Sequence, residues 1–436
     1  MSKSQNKLLH LNDLPGTYPN SYYAATANQQ IASTPLAGDQ QADVCVIGAG
    51  YTGLSTALHL AQHGYHVIVL DAHRVGWGAS GRNGGQAEGS QRLDQMELEE
   101  MVGLDLAKKA WALSQQAMAK VKSLISEHNI QCDLAPGIME VNHRARFNAE
   151  TRTYVDHIQS NYDYADIEYL DKPALDQVLG ATGYHGGLIW TDYCHLHPLN
   201  YALGMAKAAQ DAGAVIHENS EVLTIESGAR PTAVTRSGRV SASAIVVACN
   251  GYLGELYSPA GTRTFPINNF IAATEQLSEA EATRLIANNA AVADSRFVIN
   301  YFRLSADRRM LFGGGESYGY KFPDIDRTVR QAMRPVFPDL AQRRFEYTWG
   351  GTLAITMSRL PVFTRADNIY AACGYSGAGV ALASFAGELL SDAIRGDVER
   401  FDLMGSLPTP KVPGGSLFRR PLLMLAMFWY AMRDKL

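Results

Sequence analysis

Asp43-Val44-Cys45-Val46-Ile47-Gly48-Ala49-Gly50-Tyr51-Thr52-Gly53 is the stretch on which the fold turns. Val44 to Ile47 is a short apolar run ending at glycine, the pattern of a strand buried on both faces. Tyr51 to His63 then sets Leu54, Ala57, Leu58 and Ala61 on one side, the spacing of a helix with one buried stripe. Gly64 ends that helix, and Val67 to Leu70 reads as a second buried strand. In this context GxGxxG acquires meaning. Gly48 permits the tight turn, Gly50 lets backbone approach a pyrophosphate, and Gly53 lets helix pack on strand. Tyr51 and Thr52 open a helix whose free N–H groups and positive dipole end suit phosphate. Asp71, with Ala72 behind it, closes the second strand about 20 residues on, where a carboxylate accepts from ribose hydroxyls and disfavours a 2′-phosphate.

The next run, Gly76-Trp77-Gly78-Ala79-Ser80-Gly81-Arg82-Asn83-Gly84-Gly85-Gln86, is dense in glycine, which permits close backbone approach to a flat or charged ligand. Arg82 suits a phosphate, and Asn83 and Gln86 suit a heterocycle edge. Working outward, Leu93 to Glu127 is helical and broken only at Gly103. Pro198 to Asp211 reads as a helix, Ala214 to His217 and Ala244 to Ala248 as strands, and Glu221-Val222-Leu223 as strand-like. Phe265 to Phe345 has alternating, turn-rich pieces of an antiparallel sheet, with a helix near Ser278 to Asn288. Asn368 to Ile394 returns to strand then helix. These pieces predict an α/β plus α+β chain: a nucleotide-binding domain of Rossmann type interleaved with an antiparallel-sheet substrate domain. The boundaries are 1–42 for an irregular N-terminal arm, 43–92, 193–262 and 346–400 for the nucleotide domain, and 93–192 and 263–345 for the substrate domain. Residues 401–436 form a tail in which Leu422 to Met432 is an apolar helix.

Hydrophobic residues make up 46% and charged residues 19% of 436, a globular balance that excludes disorder and coiled coil. The net charge of −5 offers no field for nucleic acid. Cys45, Cys132, Cys194, Cys249 and Cys373 are odd in number and lack CxxC spacing, so neither a disulfide framework nor a zinc site is indicated. His195 and His197 form HxH without further ligands nearby, and no metal is expected. No secretory signal and no run of 18 apolar residues occurs, which points to the cytoplasm. The tail is too short to span a bilayer, and burial, self-association or peripheral membrane contact are its three open uses.

These motifs together resemble the FAD-dependent oxidoreductases of the D-amino acid oxidase and glycine/sarcosine oxidase superfamily. The resemblance rests on the Asp43 to Asp71 unit, GWGASGRNGGQ, Tyr193-Cys194-His195-Leu196-His197-Pro198, Ile245 to Gly251 and Cys373-Gly374-Tyr375-Ser376-Gly377-Ala378-Gly379-Val380. Within the superfamily the chain is most similar to gamma-glutamylputrescine oxidases, a likeness that includes the Ser21 to Ala25 arm and the apolar tail. The resemblance implies FAD. Gly48, Gly50, Tyr51, Thr52, Gly53, Asp71 and Ala72 would hold its ADP half, with Val222 at adenine. Gly78, Ala79, Ser80, Arg82, Asn83, Gly84, Gly85 and Gln86 would line pyrophosphate and flavin. Asn250, Gly251 and the Gly374, Tyr375, Ser376, Gly377, Ala378, Gly379 and Val380 segment would approach the flavin pyrimidine. Some sarcosine oxidases attach flavin through cysteine in the stretch matching Trp349 to Thr352; none stands there, so noncovalent FAD is expected.

Tyr301, Trp349 and Tyr375 are the pocket candidates, since an aromatic face can hold an amine. Arg303 and Arg359 are candidate partners for a substrate carboxylate. The resemblance implies an amine oxidase with a small-molecule amine as substrate and oxygen as acceptor, yielding aldehyde, ammonia and hydrogen peroxide. Two alternatives stand beside it: an amino-acid or secondary-amine enzyme passing electrons to a quinone, and a flavin-binding protein without catalysis. An NAD-dependent dehydrogenase leaves Gly76 to Gln86 and Gly374 to Val380 without a purpose.

Overall fold

Val44, Val46, Val67 and Val69 are wholly buried, and the two strands around the glycine turn are the centre of a parallel sheet. The computed structural model describes residues 6–413. Gln40–Ile47 pairs in parallel with Val67–Leu70 on one side and Arg239–Val247 on the other. Val215–His217 and Ile369–Cys373 extend the two edges in parallel, and antiparallel Val362–Ala366 ends one of them. Strand alternation sends Val44, Val46, Val67 and Val69 to one face, where they join Leu54, Ala57 and Leu58 of helix Tyr51–Gln62 and Leu382 and Phe385 of helix Gly379–Arg395. Cys45, Ile47, Ile68 and Leu70 face the other way, into a separate core with Leu253 and Tyr257. Both faces are covered, which is why these strands read as unbroken apolar runs.

A second sheet runs Phe345–Thr356, Thr264–Thr274, Met310–Ser317, Tyr301–Leu304, Ala291–Asp294, Ala135–Val141, Gly187–His195 and Gln86–Ala87, with Ile167–Leu170 beside Gly187–His195. Every neighbouring pair is antiparallel except Ala291–Asp294 with Ala135–Val141. A Rossmann-type sheet and a mostly antiparallel sheet therefore share one chain, alternating along it.

The sheets divide the sequence differently from the expected boundaries. Gln86–Ala87 and residues 346–356 fall in the expected nucleotide-binding segments, yet both pair in the second sheet. Cross-strand pairing with residues far away in sequence places them, and local pattern cannot register that. Glu221, Val222 and Leu223 form no strand; Thr224–Glu226 does, as part of a ribbon on Arg239–Val247. The helix near Ser278 is shorter than expected, Glu279–Leu285, and is closed by a capping box between Ser278 and Glu281. The N-terminal arm carries two short helices, Lys7–His10 and Tyr22–Ala25. The apolar segment Leu422 to Met432 lies outside the described residues, and no described helix is long and apolar enough to cross a membrane.

Candidate active site

Gly48 has φ of +107°, and a Cβ there would stand 2.7 Å from the Ala248 carbonyl oxygen. The turn is open only to glycine. It delivers the chain to Gly50, the N-cap of helix Tyr51–Gln62, which has no side chain to occupy the first-turn donors. Ser80 Oγ accepts from Tyr51 N at 3.0 Å and lies 2.8 Å from where a Gly50 Cβ would be. Asp71 accepts from Ala49 N at 2.7 Å and from His73 N at 2.8 Å. Each carboxylate oxygen keeps a further lone pair. Burial pushes Asp71 up to about 6.

A cavity of about 1350 Å³ begins here, larger than the roughly 300–1,000 Å³ of ordinary small-molecule sites. Its wall brings together Gly48, Gly50, Tyr51, Thr52, Asp71, Ala72, Gly78, Ala79, Ser80, Arg82, Asn83, Gly84, Gln86, Val222, Asn250, Tyr301, Tyr375, Ser376, Gly377, Gly379 and Val380. Gly53, Gly85, Gly251, Gly374, Ala378 and Trp349 are not on that wall. Gly53 packs under the Gly48 carbonyl, Gly251 against the backbone of Thr352 and Leu353, and Gly374 N donates to Asn250 Oδ1. Trp349 turns its indole inward, donating from Nε1 to the Arg82 carbonyl at 3.0 Å. It supports the glycine-rich loop from beneath.

Arg82 is held from several sides. Its Nε donates to Trp77 O at 2.6 Å, and its Nη1 donates to Gly350 O and pairs with Asp13 at 2.8 Å. Nη2 is buried without a hydrogen-bond partner in the protein. Asp13 belongs to the N-terminal arm, which straps the cleft. Asn6 Nδ2 donates to Tyr252 O, Trp77 Nε1 to Thr17 O and Tyr18 OH to Val75 O. Asn6, Leu9, Trp77 and Tyr252 also line the cavity, and sequence reasoning missed all four.

Tyr301 marks the passage into the second lobe. Its ring occupies the space that side chains at Gly84 and Gly313 would need, at 2.8 and 2.1 Å, and its hydroxyl donates to Asn269 Oδ1. Tyr375 OH meets Thr52 Oγ1 at 2.6 Å, tying the two helix starts. Beyond Tyr301 the wall carries Glu88, Asp94, Glu140 and Glu316 against Arg92 and Arg359, among Tyr154, Trp190 and Tyr193. Burial pushes Glu88 up to about 7, opposed by Arg92 and assisted by Glu140. Burial also raises Glu140 and Glu316. Arg92 sits at φ of +78°, a costly backbone for arginine, and donates from Nε to Ser376 O at 3.0 Å. Arg303 is elsewhere: it donates to the carbonyls of Gly84, Leu196 and Leu304, locking the glycine-rich loop to the second sheet.

His195 and His197 take structural places. His195 Nε2 meets Asn289 O at 2.7 Å, and His197 Nδ1 accepts from Asn200 N at 3.1 Å, capping helix Pro198–Asp211. Burial, with Arg303 nearby, lowers both to about 3. Protonating His197 would turn its capping acceptor into a donor. Between pH 6.5 and about 3 the unfolded imidazole binds a proton and the folded one does not, so its share of stability is lost as pH falls. The loss is about 1.4 kcal/mol per pH unit, or about 2 kcal/mol at pH 5. His197→Asn keeps a capping side chain and removes the titration. Urea unfolding at pH 7 and pH 5 is expected to show the variant losing about 2 kcal/mol less than the parent; parallel losses would contradict this.

Residues 43–393 match the family model described as DAO, FAD dependent oxidoreductase. The chain belongs to the DAO family. It is 38% identical over 425 residues to the gamma-glutamylputrescine oxidoreductase of Escherichia coli (strain K12), spanning 96% of this chain and 99% of that protein. It is 37% identical over 418 residues to the probable oxidoreductase OrdL of Rhizobium meliloti (strain 1021), spanning 95% and 97%. Among solved structures, glycine oxidase from Geobacillus kaustophilus superposes with a TM-score of 0.69 at 18% identity, covering 82% of this chain and 95% of that one. As a DAO-family member the protein is an FAD-dependent oxidoreductase, and the cavity fits that cofactor. The side-chain-free N-cap at Gly50 and the start of helix Gly379–Arg395, which lacks a side-chain cap, both offer donors to it. Flavin, when bound, supplies the two-electron oxidation.

Proposed function

We propose that this DAO-family protein oxidises primary amines of the gamma-glutamylputrescine type. A chamber rich in carboxylates and aromatics, continuous with the cofactor cleft at Tyr301, carries the reading. The near-complete alignment with the Escherichia coli gamma-glutamylputrescine oxidoreductase supports the substrate. The reaction converts the amine, water and oxygen to aldehyde, ammonia and hydrogen peroxide: the C–H and N–H hydrogens leave with two electrons, oxygen is reduced, and water hydrolyses the imine. The cavity-lining segments from Gly48 to Val380 bind the cofactor in the roles expected from the sequence, with Gly53, Gly85, Gly251, Gly374 and Ala378 shaping them from behind. Residues 43–393 supply both the nucleotide-binding and substrate-facing sheets.

The amine must be neutral to be oxidised. Glu88, titrating at about 7 on the chamber wall, takes the proton from an arriving ammonium at neutral pH. Tyr301, wedged against Gly84 and Gly313, narrows the passage and orients the chain of the amine. The free N–H groups at the start of helix Gly379–Arg395 would hold and stabilise a negatively charged edge of the cofactor when it is bound. Binding of FAD is noncovalent: Cys373 is buried off the cavity wall, and burial raises both it and Cys249 to about 12, leaving no reactive thiolate. All five cysteines are free, which suits the cytoplasm. Contact of the tail with a membrane surface or a second copy is supported by the composition of Leu422 to Met432 alone.

The test is anaerobic mixing of purified protein with gamma-glutamylputrescine, putrescine, glycine, sarcosine and D-alanine. Loss of visible flavin absorbance with the first compound, at least about tenfold faster than with the others, is expected. Acid precipitation of the same preparation is expected to leave the yellow colour in solution. Bleaching by glycine or D-alanine instead would reject the substrate, and a yellow pellet would reject noncovalent binding.

A further inference from the structure

The register of the second sheet arranges one row of residues across it. Trp349 pairs with Ile271, Ile271 with Gly313, Gly313 with Tyr301, Tyr301 with Ala293, Ala293 with Glu140, and Glu140 with Leu188. Directly paired residues project to the same face, and Tyr301, Ala293, Glu140 and Leu188 all line the cavity. Tyr301 stands at the cofactor end of this row, against Gly84 of the glycine-rich loop. Glu140 lies two strands further on, about 10 Å away at roughly 4.8 Å per strand. Ala293 between them is small and leaves the floor open.

At the far end, Trp190 Nε1 donates to Glu140 Oε1 at 2.7 Å, fixing the carboxylate and leaving Oε2 without a hydrogen bond to the protein. Trp190 meets Tyr154 edge-on at 6.2 Å and stacks on Tyr193 at 4.6 Å. An oriented carboxylate among aromatic faces and exposed to the chamber is a site for an ammonium. We propose that Glu140 is a specificity-determining residue that binds a second, unreacting ammonium at the distal end of the substrate. The site thus selects amines whose two charged ends are about 10 Å apart and disfavours short monoamines.

The inference rests on the proposed amine oxidation and adds which end is read and by what. In gamma-glutamylputrescine about nine bonds separate the oxidised carbon from the α-ammonium nitrogen, roughly 11 Å when extended at about 1.2 Å per bond. Unmodified putrescine reaches less than half as far. Its free ammonium would stop over Ala293.

The test compares gamma-glutamylputrescine with glutarylputrescine, which lacks only the α-ammonium, in the flavin-loaded parent and in Glu140→Gln. The glutamine oxygen still accepts from Trp190, so fold and flavin spectrum are expected to be unchanged. The parent is expected to favour the gamma-glutamyl compound by about 10- to 100-fold in kcat/KM. In Glu140→Gln the preference is expected to fall to within about twofold, through a rise in the KM of the gamma-glutamyl compound, while any change that the lost Glu140 charge brings to Glu88 falls on both compounds alike. Equal use of both compounds by the parent, or equal damage to both by the variant, overturns the proposal. If the parent turns over neither compound, the substrate reading fails separately. Calorimetric titration with 1,8-diaminooctane and octylamine then decides: tighter diamine binding lost in Glu140→Gln supports the subsite, and equal affinities overturn it.

Discussion

Gly50→Val is expected to purify folded and colourless. A Cβ at this position already stands 2.8 Å from Ser80 Oγ, the atom that accepts from Tyr51 N. The valine methyls would occupy the space in front of the helix start, through which a pyrophosphate reaches the first-turn N–H groups. Sheet and helix lie behind that point and keep their packing, so circular dichroism is expected to match the parent. Cofactor affinity is expected to fall by at least about 1,000-fold, or about 4 kcal/mol. A variant recovered with its full complement of FAD would show that the helix start at Gly50 does not hold the pyrophosphate.

Arg82→Met is expected to produce the largest loss of stability of any single change at the cleft. It removes the partner of Asp13, deletes donors to Trp77 O and Gly350 O, and lifts a guanidinium from 4.3 Å above the Trp77 ring. The Arg82 side chain is only 2% exposed and that of Asp13 12%, so the pair is buried. Breaking such a pair from one side costs about 3–5 kcal/mol, because the remaining charge is stranded. Arg82→Lys is expected to recover less than half of this, since a point charge cannot serve three acceptors in fixed directions. Urea unfolding measures the cost, and limited proteolysis is expected to cut the released arm ahead of the body. An Arg82→Met protein as stable as its parent, with a protected arm, would refute the anchoring role.

The nucleotide half was legible because its chemistry is local. Gly48, Gly50, Gly53 and Asp71 lie within one strand-helix-strand unit, where apolar period and glycine placement state the geometry directly. Helix Pro198–Asp211 was readable to the residue for the same reason. The chamber was not. Tyr301 was named, but Glu140 and Trp190 join its row only through cross-strand register, and no rule of local periodicity reaches across such separations. Trp349 was misjudged because its segment returns to the cofactor while its indole turns beneath the loop. Arg303 likewise spends its donors on main-chain carbonyls, a fate that residue type alone does not reveal.

The strap across the cleft has a temporal side. Asn12 Oδ1 accepts from Phe322 N, a partner 310 positions later, and Asn6 reaches Tyr252, 246 positions later. The arm is thus fastened only once residues far along the chain have been placed. Closure of so long a loop is a late event in folding. With the arm docked over the cleft, exchange of cofactor is expected to wait on the arm peeling away, a local opening that costs only the arm's own contacts.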